Sequence, residues 1–234
     1  MQTQAGMNRL KKSSYPGRGI AIGLTPGGRH FVQVYWIMGR SPSSRNRVFV
    51  QEGNFVKTDT VDKTQKVDPL TLYYPVKVLG TSHIVSNGDQ TDTLLDTIKV
   101  GGSFESALMT RTFEPDAPNF TPRISGIVDL SDEVAYRLSV LKTVSGEGAC
   151  TRQFFTYDRA IPGAAHCVTT YVDDGNPLPS FEGEPFAVPV WDGLRETADA
   201  YWQLLNPENR VSMLIKFIDR DSGRSESILV NKFV

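Results

Sequence analysis

Along most of this chain apolar and polar residues alternate in short runs bounded by glycine, proline and asparagine, a period of two that predicts strands. Residues 20–25 form the first run. After the turn Pro26-Gly27-Gly28, residues 29–38 return with Phe31, Gln33 and Tyr35 set against Val32, Val34 and Trp36, which predicts a hairpin. Strand signals recur at 47–51, 55–58, 73–79 and 83–86, then at 124–130, 134–143, 151–157 and 166–172. A last hairpin, 211–219 with 225–230, turns around Arg220-Asp221-Ser222-Gly223. Three stretches shift to helical spacing. They are 91–98, with Asp89 or Thr91 as cap; 103–112, with Phe104, Ala107 and Leu108 on one face; and 193–205, with Leu194, Ala198, Trp202 and Leu205 on one stripe. Strands, two helices, strands, one helix and strands, joined mainly by hairpins, imply an α+β fold. Two largely antiparallel sheets packed face to face, with helices outside, would bury these apolar positions.

Composition adds limits. The 234 residues are 39% hydrophobic and 22% charged, ordinary for one globular domain, here 15–234 behind a mobile leader, 1–14. Within that leader Met7, Leu10 and Lys11-Lys12 offer a surface for a partner subunit in a homo-oligomer. A formal net charge of -1 argues against nucleic acid or an anionic membrane as partner. No uncharged run has membrane-spanning length, and MQTQAGMNRLKK lacks the apolar block of a signal peptide, so a cytoplasmic location is expected. The two cysteines fall at the start of strand 151–157 and within strand 166–172. Pairing these as a hairpin around 161–163 sets Cys150 near Tyr171 and Cys167 near Phe154, out of register for a disulfide, so both read as reduced thiols.

The basic residues are less evenly spread than the net charge suggests. Arg40, Arg45 and Arg47 fall within eight residues of a loop broken by Pro42 and serines. Guanidinium forks on such a loop match phosphate oxygens in pairs. Arg18 and Arg40 are nearly equidistant from the first hairpin turn, so the pairing brings both to one sheet edge. The turn Ser86-Asn87-Gly88-Asp89-Gln90-Thr91-Asp92 leads from strand to helix, with Asn87-Gly88 favoured where φ is positive, and aims helix N–H groups at whatever lies above. Proline-rich loops at 113–123 and 173–189 break the pattern; the first holds Glu114, Asp116, Asn119 and Arg123. There is no Walker A, no G-x-G-x-x-G after a strand, no H-E-x-x-H, no C-x-x-C and no G-x-S-x-G, so metal, triphosphate and nucleophile-elbow chemistry lack motif support. His166 and Cys167 are neighbours on one strand and point to opposite faces, which rules out a nucleophile–base pair.

The strings YPGRGIAIGLT, GRSPSSRNR, SNGDQTD and TPRISGIVD, in this order and spacing, resemble the archaeal-type IMP cyclohydrolase family and its bacterial relatives. The resemblance runs over nearly the whole chain from Tyr15. It implies a four-layer αββα sandwich similar to the N-terminal-nucleophile hydrolases. It further implies closure of the purine ring of 5-formamidoimidazole-4-carboxamide ribotide (formylated AICAR) to IMP with loss of water, without metal or cofactor. Carried onto this sequence, the family pattern falls on Gly17-Arg18, on Gly39-Arg40-Ser41 with a glycine in place of a serine, on Asn46-Arg47 with Arg45 beside it as a further binding candidate, and on Ser86-Asn87-Gly88 with Thr91-Asp92. It also falls on Tyr73, or Tyr74 beside it; on Glu114, with Asp116 two residues on; on Arg123; and on Gly183-Glu184. The chemistry asks for proton donors and acceptors at the formyl oxygen and the carboxamide nitrogen. Tyr73 and Glu114 fit that task, Asn87 would contact the base or the oxyanion, and the arginines would hold the phosphate and base substituents. Two other classes remain open at this point: an N-terminal-nucleophile amide hydrolase, for which Ser13 and Ser14 are the candidate nucleophiles, and a non-catalytic protein that binds purine ribotides.

Overall fold

A computed structural model describes residues 2–65, 68–144 and 148–234. Helix α1 (Gln2–Lys12) leads to β1 (Gly19–Leu24) and β2 (His30–Met38), and a one-turn helix α2 (Pro42–Arg45) precedes β3 (Val48–Glu52) and β4 (Phe55–Asp59). After a 3₁₀ turn at Pro69–Thr71 come β5 (Val76–Leu79), β6 (Ser82–Ser86), α3 (Gln90–Lys99), α4 (Phe104–Met109), β7 (Arg123–Asp129), β8 (Tyr136–Thr143) and β9 (Cys150–Tyr157). Then follow β10 (Ala164–Thr169), β11 (Phe186–Pro189), α5 (Leu194–Leu204), β12 (Arg210–Asp219) and β13 (Ser225–Asn231). The strands form a six-stranded sheet, β11-β10-β1-β2-β12-β13, and a seven-stranded sheet, β3-β4-β5-β6-β7-β8-β9. Every pairing of adjacent strands is antiparallel.

Alternation along the strands sorts side chains into layers. On the six-stranded sheet Ile20, Ile22, Tyr35 and Ile37 face inward, where they meet Val76, Val85, Ile124, Leu138 and Val140 of the other sheet. Ala21, Val34 and Trp36 face outward, under Leu10 of α1 and Ala198, Tyr201 and Leu205 of α5 and its C-terminus. On the far side Ile84, Ile127 and Leu141 pack beneath Leu94 of α3 and Phe104, Ala107 and Leu108 of α4. The result is the expected α+β arrangement, helices outside two facing sheets. At the sheet margins Asn231 clips β13 to β3: its Oδ1 accepts from Phe49 N at 3.0 Å and its Nδ2 donates to Phe49 O at 3.1 Å. No described helix is long and apolar enough to cross a membrane.

Two expectations are corrected. Strands β9 and β10 do not form a hairpin: β9 pairs with β8, whereas β10 pairs with β1 and β11 in the other sheet. The turn near Ile161 therefore crosses between layers. Both cysteines are free thiols, Cys167 in the outer core and Cys150 half-buried at the other sheet's edge. The second correction is the leader. Gln2–Lys12 is a helix whose Leu10 is buried, and Arg9 stacks over Phe186 at 4.4 Å from its centroid, so it docks on its own chain.

Candidate functional site

Strict antiparallel pairing brings the start of one strand and the end of its neighbour to the same end of the sandwich. Arg18 stands just before β1, Arg40 just after β2, Arg47 just before β3, Tyr73 ahead of β5, Asn87 just after β6, and Arg123 opens β7. These residues are far apart in sequence, and the topology gathers them. Between them lie two cavities. One, of about 260 Å³, is lined by Tyr15, Arg18, Arg40, Ser41, Ser44 and Arg47, with Thr121 and Tyr171 opposite. The other, of about 220 Å³, is lined by Tyr73, Gly88, Glu114 and Arg123 under Leu70 and Leu72.

The Arg18–Glu114 pair divides the two. Arg18 Nη1 donates to Glu114 Oε2 at 3.1 Å and to Oε1 at 3.3 Å, and Glu114 is 2% exposed. Burial pushes the Glu114 carboxyl above its usual range, with Arg18 and Arg123 pulling the other way. For Arg18 burial works against the charge, but Glu114, Tyr73 and Tyr35 outweigh it and hold the guanidinium firmly protonated. The Tyr73 hydroxyl lies 2.7 Å from that of Tyr35, inside the core. Tyr74, its neighbour, points away and donates to Glu52 Oε2 at 2.8 Å. Asp116 accepts from Thr121 N at 2.6 Å and from the Thr121 hydroxyl, so it braces the proline-rich loop.

Arg47 is 3% exposed. Its Nε donates to Ser44 O and its Nη2 to Met38 O, both at 2.7 Å, while Nη1 is buried and has no partner among the described residues. Burial, then the charge of Arg18, lower its pKa. Two fixed cations, Arg18 and Arg47, lining one cavity favour an anion there. Arg40 completes this wall from solvent, paired with Asp174 and stacked over the Tyr15 ring at 4.9 Å. α2 carries a reciprocal Ser41–Ser44 cap that holds the loop in shape.

The turn after β6 is a scaffold. Asn87 is fully buried; its Nδ2 donates to Pro122 O at 2.9 Å, and its Oδ1 accepts from Ile124 N at 2.8 Å and Gln90 Nε2 at 2.9 Å. That fixes Glu114's loop to the sheet. Gly88 lacks the expected positive φ. It is small for another reason: a Cβ there would lie 2.5 Å from Arg123 Nη1 and 2.6 Å from Gln90 Oε1, which are bonded to each other at 2.6 Å. Asp89 makes no side-chain cap and instead pairs with Arg123 at 2.7 Å and with Arg111.

Some expected site residues lie elsewhere. Arg45 donates to Gly39 O at 3.0 Å and Asn209 Oδ1 at 3.2 Å, and Asn46 exchanges two bonds with the Asp62 backbone, so both brace loops. Thr91 is buried with its hydroxyl on Gly88 O, and Asp92 is exposed and salt-bridged to Lys77. Glu184 is exposed on the side of Tyr157, away from both cavities. Tyr15, Thr121 and Tyr171 line the first cavity and Tyr35 lies behind Tyr73, and they carry no local signal, since each sits in an ordinary strand or loop pattern. Ser13 is buried, its hydroxyl bonded to Asp173 Oδ1 at 3.0 Å behind the docked α1. Among the described residues no group of three or more His, Cys, Asp or Glu side chains is placed to hold a metal ion.

The model of the IMP cyclohydrolase-like protein family matches residues 15–222. The chain is 30% identical over 183 residues to an IMP cyclohydrolase of Methanopyrus kandleri, spanning 72% of this chain and 89% of that one. It is 36% identical over 128 residues to an IMP cyclohydrolase of a Methanococcus maripaludis strain, and 31% identical over 127 residues to one of Methanococcus aeolicus; each match spans 52% of this chain and 61% of the relative. A match to the family model over nearly all of the chain from Tyr15, around a gathered Arg18, Arg47, Tyr73 and Glu114, places this chain in the IMP cyclohydrolase-like family.

Proposed function

We propose that this chain is an IMP cyclohydrolase, closing the purine ring of 5-formamidoimidazole-4-carboxamide ribotide to IMP with loss of water, the last step of de novo IMP biosynthesis, in the cytoplasm. The observation that carries this reading is the buried Arg18–Glu114 pair set between an arginine-lined cavity and a chamber lined by Tyr73. The first cavity suits the ribotide phosphate, which Arg47 and Arg40 meet with charge-assisted donors. The second suits the imidazole with its formamido and carboxamide groups.

Both reacting groups are on one ring, so much of the barrier is orientation. The carboxamide nitrogen attacks the formyl carbon, a C–N bond forms, and the formyl oxygen gains negative charge. That oxygen takes up two protons and departs as water, while the carboxamide nitrogen gives up one proton and keeps the other, and the formamido nitrogen gives up its proton as the ring C=N bond forms. Glu114, whose carboxyl burial shifts upward, and the Tyr73 hydroxyl, which lines the same chamber, are the groups we assign to move those protons. Arg18 and Arg123 stabilise the developing oxyanion. Asn87 acts at one remove, through the loop it ties down.

Absorbance-monitored conversion of the formylated ribotide to IMP tests this directly. The wild-type protein should turn over, and Tyr73→Phe and Glu114→Gln should each lower kcat on the order of 10²–10⁴-fold while IMP affinity is nearly kept. Tight IMP binding with no turnover would leave only a ribotide-binding protein, and near wild-type kcat in both variants would remove the proton-transfer assignment.

A further inference from the structure

Tyr35 lines neither cavity, yet its hydroxyl meets Tyr73. It occupies an inward position of β2, between inward Phe31 and Ile37, is fully buried, and stacks on Phe49 with centroids 5.6 Å apart. Packing alone would be served by phenylalanine at this place. A buried phenol hydroxyl costs free energy unless it is hydrogen-bonded. Among the described residues its one partner is the Tyr73 hydroxyl, 2.7 Å away.

Burial and the neighbouring Tyr73 keep the Tyr35 phenol protonated far above neutral pH, so it is available as a donor. Tyr73 sits at the mouth: it lines the chamber with Glu114, and its backbone is pinned to Thr58 Oγ1 at 2.9 Å. Its backbone is thus fixed against β4, but rotation about its own C–O bond would leave the proton free to take either of its two in-plane orientations.

We propose that Tyr35 is a positioning residue for Tyr73: its hydroxyl donates to the Tyr73 oxygen, sets where that oxygen lies, and turns the Tyr73 proton toward the substrate chamber. This rests on the reading of Tyr73 as a proton-transfer group. Tyr35 touches no substrate and acts through its neighbour. The pair is also an unbroken hydroxyl contact between β2 of one sheet and the segment before β5 of the other, so the position of the catalytic oxygen is referred to both sheets.

A double-mutant cycle tests it, with kcat, KM and IMP affinity measured on Tyr35→Phe, Tyr73→Phe and the double variant. Loss of one neutral hydrogen bond predicts a kcat about 3- to 10-fold lower in Tyr35→Phe, with KM and IMP affinity within about twofold of wild type. In the Tyr73→Phe background the Tyr35→Phe change should cost nothing further, because its target is gone. Unchanged kcat in Tyr35→Phe, or the same loss in both backgrounds, overturns the proposal, the latter by showing a structural role only. If Tyr73→Phe alone keeps full kcat, the proton-transfer reading fails first and is recognised by that single variant. Should Tyr35→Phe not fold, 3-fluorotyrosine at position 35 keeps the ring and strengthens the donor. It is expected to change kcat with IMP affinity intact, and an unchanged kcat would again overturn the proposal.

Discussion

Tyr73 and Tyr74 are adjacent, and nothing in their local sequence ranks one above the other. The structure separates them through alternation: one ring enters the core toward Arg18, the other lies over the surface and bonds Glu52. Glu114 and Asp116 divide in the same way, one as an ion-pair member, the other as a loop brace. Arg18, Arg40 and Arg47 were legible because two arms of one hairpin had to end together; Arg45, Asn46 and Glu184 were not, since motif spacing does not tell whether a polar group bonds a ligand or its own backbone. A third kind of residue is visible only in three dimensions. Lys216, on β12 and 4% exposed, faces the inter-sheet core near the buried His83, and its Nζ has no partner among the described residues. Burial lowers its pKa from 10.5 to about 8. The folded value lies below the unfolded one, so a penalty on the order of 3 kcal/mol is present in full below about pH 8 and fades as the pH rises toward the unfolded pKa. Lys216→Met should therefore raise stability on the order of 1–4 kcal/mol at pH 7, and the advantage should shrink between about pH 8 and pH 10.5. Urea denaturation of both proteins across that range checks it. An advantage that grew with pH would refute the assignment.

At the scale of elements, what the chain pattern concealed was partner choice. A strand of period two is the same object in either sheet, so β9 and β10, close in sequence, read as a hairpin though they belong to opposite layers. Helix α1 was concealed differently: with Gly6 at its centre and few apolar residues, its own pattern does not announce a buried face. Packing explains the glycine. A Cβ at position 6 would lie 2.0 Å from Ala187 O and 3.0 Å from Val188 Cγ1, and Ala187 O is backbone of β11 that cannot swing aside. Only glycine lets α1 lie directly on that edge strand. Beyond the helix, Asp173 Oδ1 accepts from Ser13 Oγ at 3.0 Å and Ser14 N at 2.8 Å, while Asp174 next to it holds Arg40. The leader is thus fastened to the loop that forms one wall of the arginine-lined cavity. Gly6→Ala should displace α1 and cost about 1–3 kcal/mol, although alanine is the better helix former. In a chain of this size that lowers Tm by roughly 2–12 °C, and limited proteolysis should then cut within residues 2–12 faster than in wild type. A Tm equal to or above wild type would show that the helix is not held so closely.

For the whole molecule, two facing antiparallel sheets with outer helices followed from alternation and element order, and the one-ended site follows from the pairing in turn. Because strands run up and down, residues at alternate strand boundaries converge, whatever their distance in sequence. The ligand should therefore bind across the joint between the sheets. Arg18 enters from β1 of the six-stranded sheet, Glu114 and Arg123 from the approach to β7 of the seven-stranded sheet, and Arg47 from the loop that passes from one sheet to the other. A ligand touching all of them binds only the assembled sandwich, so its binding free energy adds to the stability of the whole. At a hundredfold excess over Kd this is about 2.7 kcal/mol, and the single thermal transition should move up by roughly 5–10 °C with IMP. Arg47→Ala removes the unpartnered buried donor and its charge, which should weaken IMP about ten- to a hundredfold. At the same IMP concentration the ligand-induced rise should then fall to roughly 1–5 °C. Arg40, exposed and already paired with Asp174, should lose less of the rise when changed to alanine. The comparison is of the increment with IMP over the same variant without it, so any change in basal stability drops out. A full increment in Arg47→Ala would mean that the phosphate is held elsewhere.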